Sequence, residues 1–483
     1  MKQLSTGVHG LDLLMAGGFP EGRVYLFRGE PGTGKTTMAL QFLTAGAASG
    51  DKGLCFTLSQ TAEELRLIAE SYGMDLRNIH VMDAQSLLNA PYAARQSVLN
   101  TSELEIRQVV DQLKARLADV KPQRVVIDSL IDLRLRSADV LAYRQLFREL
   151  MDMLIAEGAT TLFLDSTPEF GGDSQIAGLV HGVATLQRAL PGYGIAQRRL
   201  EINKLRGVAH AEGLHDFTIT KEGVRVFPRL SSKLDAEPPI LETIGTGLAG
   251  LDEMTCGGVT QGTSVMIYGQ TGAGKSTLAG TMLKAGVDRG EEAVAFLFEE
   301  HPKTFIQRSD ALGQNLSGAA ADGRLRTVDM RAGEVLPGEF VHNVLDAAER
   351  KNVRTVVIDS VNGYLTASAL KDHALAQLNT LIATLRTRQV ITVLVAEQPG
   401  FLSQIGDALD ISILSDCLIL LRQYEARSAI RRSVAVMKKR TGPHLTGMRE
   451  LVMEPGRFEI QPIPDEDFEA LRDLHLMNSR APV

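Results

Sequence analysis

The 483-residue sequence contains no tryptophan and only three cysteines, and it has no excess of positive charge. Each scarcity excludes something. Cys55, Cys256 and Cys417 lie far apart, odd in number and without metal-ligand spacing, which argues against a disulfide framework and a zinc site and suits a reducing cytoplasm. Lys and Arg total 51 against 58 Asp and Glu, a formal charge of −7, so no global field exists to hold a nucleic-acid backbone or an anionic membrane. No uninterrupted apolar run reaches the roughly 18 residues that span a bilayer, and the opening Met1-Lys2-Gln3-Leu4-Ser5 lacks an apolar signal core. A cytoplasmic protein, neither exported nor embedded in a membrane, is expected. The remaining composition, 44% hydrophobic and 23% charged, is that of a folded chain with enough residues for two or three domains.

The chain is written twice. Ser5-Thr6-Gly7-Val8-His9-Gly10-Leu11-Asp12 with Gly17-Gly18 is echoed by Gly245-Thr246-Gly247-Leu248-Ala249-Gly250-Leu251-Asp252 with Gly257-Gly258. Both are followed by a short apolar segment and a glycine-rich loop. The period of about 240 residues is far longer than the 20 to 50 of a solenoid unit and marks a duplicated domain. The expected organisation is a first domain over 1–234, a second over 235–462 and an acidic tail over 463–483. The joint falls between Leu230 and Glu242, where Pro238-Pro239 interrupts regular patterns. In the tail, Phe468, Leu471 and Leu474 are spaced for a short amphipathic helix.

Within each copy, short runs that are apolar on both faces alternate with helical patterns, as in a parallel sheet covered by helices on both sides. Strands are predicted at Val24 to Phe27, Gly53 to Leu58, Arg124 to Ile127 and Ala159 to Leu164, then at Ser264 to Tyr268, Ala293 to Phe298, Thr355 to Ile358 and Val390 to Val395. Later segments, Arg199 to Ile202 with Asp216 to Thr220 and Cys417 to Leu421 with Ser433 to Met437, are expected as antiparallel additions at the sheet edge. The fold class is therefore α/β, two tandem P-loop domains.

Gly29-Glu30-Pro31-Gly32-Thr33-Gly34-Lys35-Thr36 and Gly269-Gln270-Thr271-Gly272-Ala273-Gly274-Lys275-Ser276 both read G-x-x-x-x-G-K-[ST]. The glycines let the backbone approach an anion, and successive N–H groups with the following helix terminus, through Thr37 and Thr277, point at the phosphates of ATP. Lys35 and Lys275 would bridge the β- and γ-phosphates, and Thr36 and Ser276 would offer a hydroxyl to Mg²⁺. Asp128 and Asp359 end the strands Arg124-Val125-Val126-Ile127-Asp128 and Thr355-Val356-Val357-Ile358-Asp359, facing the crevice where the metal ion would sit.

The halves differ where catalysis is expected. The strand after the second loop helix exits into Glu299-Glu300, whereas the first exits into Ser59-Gln60. A carboxylate beside the γ-phosphate can take a proton from water or a hydroxyl; serine and glutamine can only orient one. Hydrolysis or phosphotransfer is expected at the second site. Glu64, in Thr61-Ala62-Glu63-Glu64, has the spacing of a helix capping box.

With the duplicated openings, both loops, the Ile-Asp-Ser strands and Lys204-Leu205-Arg206-Gly207 with His210, the sequence resembles the KaiC family of circadian clock ATPases, including its non-cyanobacterial relatives, within the RecA-like P-loop superfamily. The resemblance covers nearly the whole chain. It implies a hexameric double ring with ATP between neighbouring subunits, in which Lys204, Arg206, Lys438 and Arg440 reach the γ-phosphate held next door, and a signalling-type protein partner. It also implies autophosphorylation in the second domain on an adjacent serine and threonine. Here Ser412 matches the serine, Ile413 replaces the threonine, and Ser415 is the other candidate acceptor. The Ser59-Gln60 pair departs from the acidic pair that the family carries in its first domain.

A competing reading is a recombinase- or helicase-type DNA-dependent ATPase, resting on Arg198, Arg199, Arg431, Arg432, Lys438 and Lys439. The net charge, the absence of tryptophan and the lack of an accessory DNA-binding module oppose it. A small-molecule P-loop kinase fits less well still, since nothing resembles a lid or a metabolite pocket.

Overall fold

The computed structural model describes residues 2–84, 101–137, 139–166, 174–191, 194–230, 242–350, 352–366, 368–397, 412–426 and 428–467. The linker around Pro238-Pro239, Asp410-Ile411 and the expected tail helix at Phe468, Leu471 and Leu474 lie outside them. The chain divides into two units, Met1–Leu190 with Ala196–Arg229, and Pro191–Ile195 with Leu230–Val483.

The first unit is built on nine strands: β1 (Val24–Gly29), β2 (Gly53–Thr57), β3 (Ile79–Asp83), β4 (Arg124–Asp128), β5 (Thr160–Asp165), β6 (Gly182–Ala189), β7 (Gln197–Leu205), β8 (His215–Thr220) and β9 (Gly223–Phe227). Their order across the sheet is β3-β2-β4-β5-β1-β6-β7-β8-β9. The first six are mutually parallel and the last three reverse. The alternation of side chains explains why these strands are apolar throughout. Tyr25 and Phe27 of β1 enter the cluster beneath the helix Lys35–Ala48, while Val24 and Leu26 enter the opposite cluster with Phe147 and Leu150.

The second unit repeats this plan with β10 (Ser264–Gly269), β11 (Glu292–Leu297), β12 (Leu325–Asp329), β13 (Val353–Asp359), β14 (Ile391–Glu397), β15 (Cys417–Ala426), β16 (Ala429–Lys439), β17 (Arg449–Glu454) and β18 (Arg457–Gln461). The order β12-β11-β13-β14-β10-β15-β16-β17-β18 is that of the first unit, strand for strand. Val265 and Ile267 face one cluster, Met266 and Tyr268 the other. Both sheets are the mostly parallel, helix-covered α/β architecture expected of tandem RecA-like domains.

One strand expectation needs correction, and some strands were not expected. Cys417 to Leu421 is not an antiparallel addition: it pairs parallel with β10, Val265 opposite Cys417 and Gly269 opposite Leu421, and the reversal begins only at β16. Its counterpart β6, parallel to β1, was not expected, nor were the outer strands β3 and β12. The mixed patterns of β6, which is buried at its start and exposed at Gln187 and Arg188, and of β3 do not read as continuous apolar runs.

The repeated Thr-Gly-x-x-Gly-Leu-Asp opening has a structural task. Asp12 Oδ1 accepts from the Thr6 N–H at 2.8 Å and hydroxyl at 2.6 Å, and Asp252 Oδ1 does the same for Thr246 at 2.7 Å and 2.7 Å. The loop is thereby held against the phosphate-loop helix so closely that a Cβ on Gly7, at φ +70°, would lie 2.5 Å from the Gln41 carbonyl oxygen.

Candidate functional site

Each phosphate loop leaves the carboxyl end of the central strand, β1 or β10, and runs into a 14-residue helix, Lys35–Ala48 or Lys275–Asp288. Gly34 and Gly274 cap these helices at φ +102° and +99°, conformations that disfavour a side chain, and no side chain caps either terminus. The first-turn N–H groups are left for an anion. Thr33, Ala273, Thr37 and Thr277 are buried around the turn, and Gly32 and Gly272 take positive φ within it.

In the first loop the Lys35 ammonium donates to the carbonyl oxygens of Gly29 at 2.6 Å and Glu30 at 3.1 Å. Burial lowers its pKa, which the charges of Asp128 and Asp165 oppose. The Thr36 hydroxyl donates to Asp128 Oδ2 at 2.9 Å, although β5 lies between β1 and β4 in the sheet. Burial raises the Asp128 carboxyl above the usual range, against the pull of the Thr36 hydroxyl and Lys35. In the second loop Ser276 plays the part of Thr36, its hydroxyl favouring the ionised form of Asp359, while burial and the charge of Glu299 push that carboxyl up to about 6. The peptides after both aspartates, Asp128-Ser129 and Asp359-Ser360, are cis. A hydroxyl and a carboxylate in contact are two hard oxygen donors, the set with which a protein supplements phosphate oxygens and water around Mg²⁺. The residues present therefore fit Mg²⁺ in both units.

The two carboxylates of the second strand exit part company. Glu299 is exposed at the mouth and accepts a hydrogen bond from the Ser360 hydroxyl, next to Asp359. Glu300 instead forms a bidentate pair with Arg308, at 3.2 Å and 2.7 Å, and the same guanidinium donates to Thr277 Oγ1 at 2.7 Å. Glu299 is thus held by a hydroxyl beside Asp359, and Glu300 positions Arg308. At the first exit Thr57 Oγ1 accepts from the Gln60 N–H at 3.1 Å and donates to its carbonyl at 3.0 Å, so Gln60 is bound through its backbone. Thr61 and Glu64 form the reciprocal capping box.

Lys204, Arg206, Lys438 and Arg440 are not brought to the loop of their own unit. Lys204 pairs with Val183, three residues back along β6 from Leu186, the partner of Gly29, which is roughly 10 Å of strand from the loop. Its ammonium donates to the carbonyl oxygens of Ala177 and Gly178, and Arg206 also donates to Gly178. Lys438 likewise donates to the carbonyl oxygens of Ser412 at 3.0 Å and Ser415 at 2.7 Å, and Arg440 lies 4.0 Å from Asp416. Partial burial and the neighbouring arginine lower the pKa of both lysines. Ser412 is half-buried and Ser415 buried, immediately before β15 and at the same end of the sheet as Lys438.

The basic residues that suggested DNA are largely committed within the chain. Arg199 is buried against Asp216 at 3.2 Å, Arg431 pairs with Glu450 at 2.9 Å and Asp467 at 3.1 Å, and Arg432 donates to the Gly272 carbonyl at 3.1 Å. Among the described residues no helix is long and apolar enough to cross a membrane, and no group of three or more His, Cys, Asp or Glu gathers as a metal site.

Sequence reasoning missed Arg308, Asn362 and Glu397, and it gave Ser360, part of the repeated Ile-Asp-Ser strand, no contact with Glu299. Of the three missed, only Glu397 had a local signal, an acid ending an apolar strand as Asp359 does.

A family model described as "ATPase: KaiC" matches residues 4–231 and again 244–465. The circadian clock protein KaiC3 of Synechocystis sp. (strain ATCC 27184 / PCC 6803 / Kazusa) is 25% identical over 460 residues, covering 94% of this chain and 90% of that protein. The circadian clock oscillator protein KaiC of Picosynechococcus sp. (strain ATCC 27264 / PCC 7002 / PR-6) is 26% identical over 479 residues, 95% and 90% respectively. That of Synechococcus elongatus (strain ATCC 33912 / PCC 7942 / FACHB-805) is 26% identical over 462 residues, 94% and 88%.

Proposed function

We propose, from the premise that the chain belongs to the KaiC family of ATPases, that it binds ATP with Mg²⁺ at both phosphate loops, uses the first mainly for assembly and carries out hydrolysis or phosphotransfer at the second. The observation that carries this division is Glu299, hydrogen-bonded by Ser360 beside Asp359, where the first unit has Ser59 and Gln60.

Thr36 with Asp128 and Ser276 with Asp359 would hold the metal ion, which when bound neutralises charge on the β- and γ-phosphate oxygens. Lys275 and the uncapped helix terminus bind and orient the phosphates. Ser360 holds the Glu299 carboxylate, which accepts the proton of the attacking water as its oxygen bonds to the γ-phosphorus and the bond to the ADP oxygen breaks. With a serine hydroxyl as nucleophile the same proton transfer leaves a phosphoserine and ADP. Ser412 is the better acceptor of the two candidates, because Ser415 is 1% exposed.

Lys204, Arg206, Lys438 and Arg440 lie too far back along the sheet to serve their own loops, which supports their use on nucleotide held by a neighbouring copy. ATP then bridges subunits, as expected for a hexameric ring. Output through a signalling-type protein partner follows from the relatives' clock function.

The test is incubation with γ-labelled ATP and Mg²⁺, following label on protein and in free phosphate, for the wild type beside Lys35→Ala and Lys275→Ala, with sedimentation of each. Lys275→Ala is expected to remove turnover while Lys35→Ala mainly weakens assembly. Turnover that survives Lys275→Ala, or a chain that stays monomeric with ATP at micromolar concentration, would overturn the proposal.

A further inference from the structure

The two phosphate sites differ at a pair of positions that act on the loop lysine. Glu397 ends β14 opposite Gly269, the first residue of the second loop. In the first unit β5 ends at Asp165 opposite Arg28, so the residue level with Gly29 is Ser166. Asn362, three residues after Asp359, accepts from the Glu397 N–H at 2.7 Å and donates to its carbonyl oxygen at 3.4 Å. Three residues after Asp128 stands Ile131, which has no polar group to offer. The second unit therefore has a carboxylate level with the first loop residue and an amide pinning the strand end that bears it, whereas in the first unit the carboxylate on that strand, Asp165, stands one residue earlier and acts on Lys35 through its charge.

The carboxylate engages the loop itself. Glu397 Oε1 accepts from the Thr271 hydroxyl at 2.8 Å and lies 3.4 Å from the Lys275 ammonium, which also donates to the Gln270 carbonyl at 2.9 Å. Lys35 has only loop carbonyls as its hydrogen-bond acceptors. The loop amides cradle the inner phosphates, while the lysine reaches the β- and γ-phosphates. A γ-phosphate must take the ammonium from Glu397 and set its own negative charge beside that carboxylate. The diphosphate ends one phosphate short and meets less of this repulsion.

We propose that Glu397 determines nucleotide preference at the second site: its carboxylate competes with the γ-phosphate for Lys275 and so lowers the preference for ATP over ADP there. The inference rests on nucleotide binding by the second loop. Its consequence lies in loading: the second site follows the ATP-to-ADP ratio and holds its product longer. For a partly exposed pair of charges a few ångströms apart, the expected effect on the preference is about tenfold.

The test uses the full chain carrying Lys35→Ala, so that the second site is read alone. Calorimetry gives the dissociation constants of ADP and of a non-hydrolysable ATP analogue, both with Mg²⁺, before and after Glu397→Gln. The isosteric change is expected to tighten the triphosphate about tenfold and to move ADP less than threefold. Asn362→Ala, which frees the strand end without touching the loop, should shift the ratio the same way by a smaller factor. A structural role alone would change both nucleotides by the same factor. That result, an unchanged ratio or a weakened triphosphate overturns the inference while leaving the proposed function standing. A second site that binds neither nucleotide in the Lys35→Ala parent and in the wild type alike overturns both.

Discussion

Replacing Asp359 with asparagine should stabilise the metal-free, nucleotide-free protein while abolishing its turnover. Asp359 is 6% exposed at the end of β13. Burial, the largest cause, and the neighbouring Glu299 push its carboxyl up to about 6 from an ordinary 3.8, against the Ser276 hydroxyl, Arg308 and Lys275. The folded chain thus holds this proton more tightly than the unfolded one. The group's contribution is most favourable below about pH 4, declines as the pH rises from there to about 6, and stays unfavourable above. A gap of about two units at about 1.4 kcal/mol each is a penalty of about 3 kcal/mol at pH 8. Asparagine escapes it, and its amide oxygen still accepts from the Ser276 hydroxyl, so the gain at pH 8 is about 3 kcal/mol. In a domain of this size that raises Tm by about 6–12 °C. At pH 4.5 the penalty, and with it the gain, has shrunk to about 1 kcal/mol. The assay is thermal unfolding of wild type and Asp359→Asn in chelator without nucleotide at both pH values, with phosphate release measured at pH 8 in Mg²⁺ and ATP. A variant less stable at pH 8, or stabilised equally at both, refutes the reasoning. So does one that keeps wild-type turnover.

Two further outcomes are expected. Glu299→Gln should lower phosphate release by a factor of about 100 or more, as loss of a general base does, whereas Glu300→Gln, acting only through Arg308, should cost less than about tenfold; steady-state assays that rank them the other way would reverse the assignment. Burial pushes the Cys55 thiol up to about 12 and the Cys417 thiol up to about 11, while Cys256 is exposed. A colourimetric disulfide reagent at pH 8 should therefore titrate one thiol per native chain rapidly and three after denaturation; two or three fast thiols would contradict this burial.

The phosphate loops, the aspartates and the paired openings could be found without coordinates because their chemistry is local. A backbone that must turn around an anion needs glycine at fixed spacing, and a helix that starts on it needs lysine and a hydroxyl in its first turn. The apolar strands were equally plain, since a parallel sheet covered on both faces leaves no polar positions to blur the run. Weaker patterns failed: β6 and β3 mix exposed and buried residues, and β15 reads like the antiparallel strands beside it although it is parallel to β10.

The sequence by itself determined that the chain is duplicated, that each half carries a glycine-rich phosphate-loop motif and an aspartate ending an apolar strand, and that only the second has acids at the strand exit. Tertiary structure alone decided which acid does what. Glu299 and Glu300 are neighbours in sequence and chemically alike, but the backbone turns one toward Ser360 and the other toward Arg308. It also decided that Lys204 and Lys438 stand away from their own loops, and that Glu397, 122 residues from Lys275, reaches the ammonium. These facts depend on strand order and register, which bring distant residues to one end of a sheet, and no local pattern of side chains encodes them.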